Sequence, residues 1–431
     1  MNGARWPLAP QQEYMLANLK FRAADRGLRF RNPFLALQVT GPFDADRFAA
    51  AVGTLARQHG VLRAELDATT MASLRVLERP YPGHFEFDTR CDDPGAALAR
   101  EEWYAFEPTR APLWRVKVIR VGPQVHLISL SFCHLIWDGT SMRAFLWLLS
   151  REYADPGSNP APSQYFQFAE AAESERAGRR LGKSPLQQDV LSAIADSVRE
   201  RRERSAAAEV TETDTRRFPF TIGREGMGRI RRSAPEALAM PFRALLRAYL
   251  EAAGGFFGRP RLVAAFATSR TDLRPADDCL GYFSDLSLCL FRSGTAAGWP
   301  RPAASMRPLE PALSWSELSA ALGIVAYPQE IYDVWARAPV FTDESSLAGI
   351  LPGTQVAVLP LTPGWRMPVT CPVQRRVLAG QAIPSLVVDD LREGTGYLEF
   401  NIAVTPRRRA RDLSAEFAAR IRDGEVAAES E

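Results

Sequence analysis

Lysine is nearly absent from this sequence: of 53 basic residues only Lys20, Lys117 and Lys183 are lysines, a bias that indicates a GC-rich bacterial genome. The formal net charge at pH 7 is only +3. Proteins that bind nucleic acids concentrate a larger positive charge on one face, so no nucleic-acid partner is expected. The sequence also lacks a run of about 20 apolar residues and an N-terminal signal peptide. We therefore expect a bacterial protein of the cytoplasm with no membrane partner.

Cysteine and histidine are scarce as well. The cysteines are widely spaced, form no C-x-x-C pair and have no histidine at a metal-ligand spacing, so we expect free thiols, no metal site and no bound cofactor. They are Cys91, Cys133, Cys279, Cys289 and Cys371. Acid–base chemistry by histidine must use one of four side chains. These are His59, His84, His126 and His134.

The composition is that of a soluble globular enzyme, with 46% hydrophobic and 24% charged residues among 431. Strand-like runs and helical periodicity alternate in both halves, which predicts an α/β fold with two lobes. Strands are predicted at residues 34–39, 113–121, 125–132, 261–268, 283–291, 355–359, 386–389 and 397–404, and helices at 44–57, 142–153, 225–233, 241–253, 315–322 and 412–421. The Arg/Glu/Ala-rich stretch 173–209 predicts a helical linker at 171–213, between an N-terminal lobe at 1–170 and a C-terminal lobe at 214–431.

His134 has the most informative surroundings of the four histidines. It follows the predicted strand at 125–132 and precedes a helical pattern that runs to about Tyr153. Asp138 is placed to cap that helix with its carboxylate, and Gly139 permits close approach of another backbone. The residues alone are consistent with a catalytic histidine and also with a buried polar turn.

Residues 133–139, Cys-His-Leu-Ile-Trp-Asp-Gly, resemble the HHxxxDG motif of the condensation domains of nonribosomal peptide synthetases and of their acyltransferase relatives. Five further segments resemble signatures of that family in the same order. They are residues 6–12 (Pro-Leu-Ser-Pro-x-Gln), 57–63 (Arg-His-Glu-x-Leu-Arg), 164–168 (Tyr-x-Asp-Tyr), 268–288 (ending in Gly-x-Phe-x-Asn-Thr-Leu) and 397–401, a late strand. The resemblance thus covers residues 6–421.

The resemblance implies two chloramphenicol-acetyltransferase-like lobes arranged as a V-shaped pseudodimer, with the active site between them. It implies an acyltransferase of natural-product biosynthesis, such as antibiotic biosynthesis. The acyl group is expected on the phosphopantetheine thioester of an acyl or peptidyl carrier protein in trans, and the acceptor is a small-molecule or carrier-bound amine or alcohol. No adenylation motif or carrier attachment site is visible, so a free-standing monomer is expected.

The same resemblance implies roles for individual residues. His134 is the general base, and the backbone N–H of Gly139 is the candidate donor to the oxyanion. Asp138 is structural and pairs with an arginine across the lobes, for which the matching position is Arg270.

Two positions depart from the family pattern. Cys133 replaces the first histidine of HHxxxDG, a mostly supportive position. Asp285 replaces the asparagine of the second-lobe motif that also contains Gly281 and Phe283. A nucleophilic role for Cys133 requires exposure and a lowered pKa, whereas its place at the end of an apolar strand indicates burial.

Two other functions stay open from the sequence. One is an O-acyltransferase of the same superfamily that uses coenzyme A or a polyketide chain. The other is a non-catalytic family member that recruits a tailoring enzyme to a carrier protein. The loss of the first histidine favours the second, whereas the intact His134, Asp138 and Gly139 disfavour it.

Overall fold

The protein divides into two compact α/β units. The computed structural model describes residues 4–24, 32–79, 85–177, 185–206, 215–233, 241–257, 261–270, 272–292, 334–337, 351–359, 385–391, 394–401 and 407–422. Unit 1 comprises residues 1–178, 269–284 and 343–372, and unit 2 comprises 179–268, 285–342 and 373–431. His84, Cys371 and the helix predicted at 315–322 lie outside the described residues.

Unit 1 contains a five-stranded mixed sheet and a small three-stranded sheet. Its elements are β1 (Ala4–Pro7), α1 (Pro10–Ala24), β2 (Phe34–Thr40), α2 (Ala45–Gln58), a 3-10 turn (Gly60–Arg63), β3 (Ala64–Leu66), β4 (Ser73–Val76), β5 (Phe85–Asp88), α3 (Pro94–Glu102), β6 (Trp114–Gly122), β7 (Val125–Phe132), α4 (Gly139–Ala154) and α5 (Tyr165–Ala177). The small sheet has the order β1-β4-β3.

The larger sheet of unit 1 is completed from far along the chain. In its order β12-β2-β7-β6-β5, the strand β12 (Gln355–Val358) pairs antiparallel with β2, although the sequence places it among residues of the second lobe. The strands predicted at 113–121 and 125–132 are confirmed as β6 and β7, which form an antiparallel hairpin with Trp114 opposite Phe132. β7 is buried along nearly its whole length. The loop that follows Phe132 therefore starts in the interior of unit 1.

Aspartate caps begin the helices of unit 1 that surround this sheet. Asp44, Asp93 and Asp138 each accept a hydrogen bond from the backbone N–H three residues further on, at the start of α2, α3 and α4. A carboxylate there satisfies an N–H that has no partner within the helix. The cap predicted at Asp138 is therefore confirmed.

Unit 2 has a six-stranded mixed sheet. Its elements are α6 (Pro185–Ala206), β8 (Thr215–Thr221), α7 (Gly223–Ser233), α8 (Pro241–Phe257), β9 (Arg261–Ser269), β10 (Ser284–Arg292), β11 (Val334–Arg337), β13 (Ser385–Asp390), β14 (Thr395–Asn401) and α9 (Arg407–Arg422); β9 ends, and β10 begins, on a residue of unit 1. The sheet order is β10-β9-β11-β13-β14-β8. One core joins the two long helices to the sheet, with Tyr249 of α8 packed against Phe417 of α9.

Candidate active site

Stacked aromatic rings anchor the loop at residues 133–138 to the core of unit 1. The rings of Phe132 and Trp137, which bracket the loop, are stacked with centroids 3.9 Å apart. Both meet Phe145 of α4 edge-on, at 5.6 Å. All three rings are fully buried, so the two ends of the loop are fixed to the core.

The imidazole of His134 is oriented by the same loop. Its Nδ1 lies 2.9 Å from the carbonyl oxygen of Trp137. A carbonyl oxygen only accepts, so Nδ1 carries the hydrogen, and in the neutral ring Nε2 is the basic nitrogen. The side chain is partly accessible to solvent. Burial lowers the pKa of His134 to about 4, although the bond to Trp137 opposes the change, so the imidazole is neutral at pH 7.

The side chain of Gln12 also anchors this loop through a hydrogen bond. Its fully buried amide donates to the carbonyl oxygen of Leu135 at 2.7 Å and accepts from the N–H of Ala9 at 2.9 Å. Gln12 ends the segment that resembles the opening signature of the family, and no role for it was predicted from the sequence. A contact between residues 123 positions apart leaves no local pattern to find.

Asp138 accepts three hydrogen bonds. One carboxylate oxygen accepts from the N–H of Ser141 at 2.9 Å, and the other accepts from the N–H of Phe283 at 2.8 Å and the hydroxyl of Ser284 at 3.0 Å. Burial raises the pKa of Asp138, and these donors oppose the rise. These bonds join the start of α4 to the segment 281–284.

The expected pairing of Asp138 with Arg270 is wrong. Arg270 forms ion pairs with Glu175 of α5 at 2.7 Å and with Asp272 at 2.8 Å. These carboxylates raise the pKa of its guanidinium. Arg270 follows β9, and its side chain reaches α5 instead, while backbone N–H groups satisfy the carboxylate of Asp138.

Two more side chains of α4 contact the segment 269–284. The hydroxyl of Ser141 donates to the carbonyl oxygen of Gly281 at 2.6 Å and accepts from the N–H of the same residue at 2.7 Å. The hydroxyl of Thr140 lies 3.0 Å from that of Ser269. The first turn of α4 is thus fixed, and with it the N–H of Gly139, for which no described residue is an acceptor. That N–H remains the candidate oxyanion donor.

Cys133 is buried at the end of β7, with 2% of its surface exposed. Burial raises the pKa of its thiol to about 12. Since the thiolate is the nucleophilic form of cysteine, these surroundings disfavour a nucleophilic role. Cys91, Cys133 and Cys279 are all free thiols.

The second-lobe motif is divided by the structure. Gly281 and Phe283 belong to unit 1 with His134, whereas Asp285 is a buried residue of β10 in unit 2. His59 and His126 are buried elsewhere in unit 1, at the end of α2 and within β7. No group of metal-ligating side chains occurs among the described residues, and no described helix is long and apolar enough to cross a membrane.

Comparison with known proteins gives a consistent result. The family model of the condensation domain matches residues 5–184. Cyclosporin synthetase simA of Tolypocladium inflatum is 31% identical over 140 residues, which cover 31% of this chain and 1% of that protein. The chain thus spans a very small part of this curated relative.

Two solved structures share the fold over nearly the whole chain. The X-domain in complex with OxyB, from teicoplanin biosynthesis, is 18% identical with a TM-score of 0.68, covering 99% of this chain and 95% of its own. The condensation domain of the Monacolin K polyketide synthase MokA is 15% identical with a TM-score of 0.67, covering 99% and 98%.

The two α/β units and this likeness define the two-lobed fold of the chloramphenicol acetyltransferase type. Residues 5–184, which contain His134 and its loop, match the condensation-domain family model, and part of the chain is similar to peptide synthetases such as tyrocidine synthase 3 of Brevibacillus parabrevis. The resemblance to condensation domains and the two-lobed α/β fold class predicted from the sequence are therefore confirmed.

Proposed function

We propose that the protein is an acyltransferase that moves an acyl group from the phosphopantetheine thioester of a carrier protein to an amine or alcohol. The observation that carries the proposal is the orientation of His134. Its Nδ1–H is held by the carbonyl of Trp137 at 2.9 Å, so the neutral ring has its basic nitrogen at Nε2. This is the tautomer that a general base at Nε2 requires.

In the proposed reaction, Nε2 of His134 takes a proton from the acceptor N–H or O–H as that atom attacks the thioester carbon. The negative charge that develops on the carbonyl oxygen is stabilised by the N–H of Gly139 at the start of α4. The carbon–sulfur bond then breaks, and the leaving thiolate takes the proton from the imidazolium. The products are an amide or ester and the thiol of the carrier.

The lowered pKa of His134 limits how much of the rate acceleration general-base catalysis can supply. A base with a pKa of about 4 is always available at pH 7 but is weaker than an ordinary imidazole. Alignment of the two substrates, which contributes up to about 7–11 kcal/mol in well-oriented reactions, therefore supplies much of the acceleration. This agrees with a loop whose two ends are fixed by Phe132 and Trp137.

Intact-mass spectrometry tests the proposal. A carrier protein loaded with a model acyl thioester is mixed with a panel of amines and alcohols. Wild type is expected to remove the acyl group and form a new amide or ester. His134→Ala is expected to be at least about 100-fold slower, with an unchanged circular dichroism spectrum because its side chain is partly exposed.

Cys133→Ala is the matched control, because it changes the neighbouring residue. It is expected to retain most of the transfer. A buried thiol with a pKa of about 12 stays protonated at pH 7, so it acts neither as a base nor as a nucleophile. A folded but inactive Cys133→Ala would support a nucleophilic role for Cys133 and would argue against His134 as the general base.

A second candidate is a non-catalytic member that recruits a tailoring enzyme to a carrier protein. The specific observation in its favour is Cys133, which puts a buried thiol where the motif has its first histidine. Under this alternative, the carrier binds but wild type transfers nothing across the whole panel. Acyl transfer with coenzyme A thioesters, but not with the loaded carrier, would instead identify an O-acyltransferase of the same superfamily.

A further inference from the structure

Tyr282 is the residue whose ring lies against the imidazole of His134. The two rings meet edge to face, with centroids 5.7 Å apart and planes at 76°. Tyr282 is buried, whereas His134 is partly accessible. The ring of Tyr282 thus covers part of the surface of the candidate base.

The backbone around Tyr282 is fixed by side chains from two helices. Ser141 binds both the N–H and the carbonyl of Gly281, at 2.7 and 2.6 Å. Tyr165 donates its hydroxyl to the carbonyl of Tyr282 at 2.8 Å, and Asp138 accepts from the N–H of Phe283 at 2.8 Å. Each of these three consecutive residues is therefore tied to α4 or α5.

The neighbouring residues also fix the direction in which Tyr282 points. A Cβ on Gly281 would overlap the ring of Tyr165, so the backbone lies flat on that ring. The side chain of Phe283 packs edge-on against Tyr165 and Phe168, at 5.6 and 4.9 Å. Residues 281 and 283 thus face α5, while the side chain of residue 282 contacts His134.

We propose that Tyr282 is a specificity-determining residue of this site, whose ring limits the size of the group that the substrate presents beside His134. This inference rests on the proposed acyl transfer. The bonds from Ser141, Tyr165 and Asp138 are made to backbone atoms of residues 281–283, so these bonds do not depend on which side chain residue 282 carries. Such preorganised support is what a selective site requires.

The test is a selectivity ratio. Wild type, Tyr282→Phe and Tyr282→Leu are given one acyl-loaded carrier and a series of acceptors that differ only in the bulk beside the reacting nitrogen or oxygen. Tyr282→Phe keeps the ring and is expected to keep the ratio of kcat/KM for small and bulky acceptors. Tyr282→Leu is expected to shift that ratio towards bulky acceptors by about tenfold or more. Tyr104→Leu, at an exposed tyrosine of unit 1, is the control that leaves the ratio unchanged.

A second measurement needs no turnover. Titration of the His134 ring protons by NMR, assigned with His134→Ala, is expected to give a pKa closer to 6.5 in Tyr282→Leu, because water gains access to the imidazole. Transfer by wild type with an unchanged ratio in folded Tyr282→Leu overturns this inference alone. No transfer by wild type overturns the proposed function and this inference with it, and the titration then reports only that the ring covers His134.

Discussion

Asp138 shows how one side chain serves two structural purposes. Its carboxylate caps α4 through Ser141 and also binds the N–H of Phe283 and the hydroxyl of Ser284. Burial opposes its ionisation and raises its pKa, and the three donors that face the carboxylate oppose that rise. Under the proposed function, mutation of Asp138 is therefore expected to reduce activity through the loss of these contacts.

Asp138→Asn is expected to destabilise the protein by about 1–3 kcal/mol. An amide has one acceptor oxygen, so its NH2 group would face a backbone N–H or the hydroxyl of Ser284. Urea unfolding at pH 7 measures the effect.

Asp44→Asn provides the matched control for that substitution. Asp44 caps α2 in the same way, with Arg47, but is exposed, and asparagine caps helices as well as aspartate does. We expect almost no change in its free energy of unfolding. Equal losses in the two variants would contradict the account of Asp138.

The sequence predicted those features of the site that depend on near neighbours. Asp138 precedes a helical pattern, and its cap follows from that position alone. The contact between Asp138 and Phe283 joins residues 145 positions apart, and the pairing inferred for Arg270 by resemblance was wrong. Tyr282 and Gln12 were missed because their contacts depend on how distant segments pack.

At the scale of elements, α4 and α5 hold the segment 281–284 in place within unit 1. The strands β6 and β7 and the helices α2 and α4 were predicted to within a few residues, because their periodicity is local. The place of β12 beside β2 was not, since strand order depends on pairing between distant parts of the chain. The close approach of Gly281 to Tyr165 is equally invisible in the sequence.

Gly281→Ala is expected to destabilise the protein by about 1–3 kcal/mol or more. The new Cβ overlaps the ring of Tyr165, which is fully buried and has no room to move. The midpoint of thermal unfolding measures the change. The orientation of Tyr282 would be disturbed as well, so acyl transfer should fall with stability.

Gly53→Ala is expected to stabilise the protein, in contrast to Gly281→Ala. Gly53 lies within α2, and a Cβ there meets only the end of the Arg57 side chain, at 3.5 Å. Alanine is favoured over glycine inside a helix by about 0.5–1 kcal/mol. A destabilised Gly53→Ala, or a fully stable Gly281→Ala, would contradict the packing described here.

At the scale of the whole molecule, sequence similarity and fold similarity cover different lengths. The family model matches only residues 5–184, whereas the fold of the X-domain covers 99% of the chain. The part that keeps a recognisable sequence contains β7, α4 and His134. A fold tolerates many apolar exchanges if the pattern and volume of its core are kept, whereas the loop at 133–138 depends on particular side chains.

Buried histidines give the molecule a sensitivity to acid. His59 is 2% exposed, its Nε2 has no hydrogen-bond partner among the described residues, and burial lowers its pKa from 6.5 to about 4. Between these two pH values the unfolded chain binds a proton that the folded chain does not. The stability from this group is therefore complete above pH 6.5 and is lost as the pH falls towards 4. For His59 the loss amounts to about 3 kcal/mol.

His59→Gln removes this group from the titration, because its amide stays neutral at every pH. Free energies of unfolding in urea at pH 7.5, 6.5, 5.5 and 4.5 are compared with those of wild type. Wild type is expected to lose about 1.4 kcal/mol more per pH unit than the variant between pH 6 and 4.5. The carboxylates titrate in both proteins and cancel in the comparison. Parallel curves for the two proteins would show that water reaches His59 in the folded state and that its imidazole is protonated there.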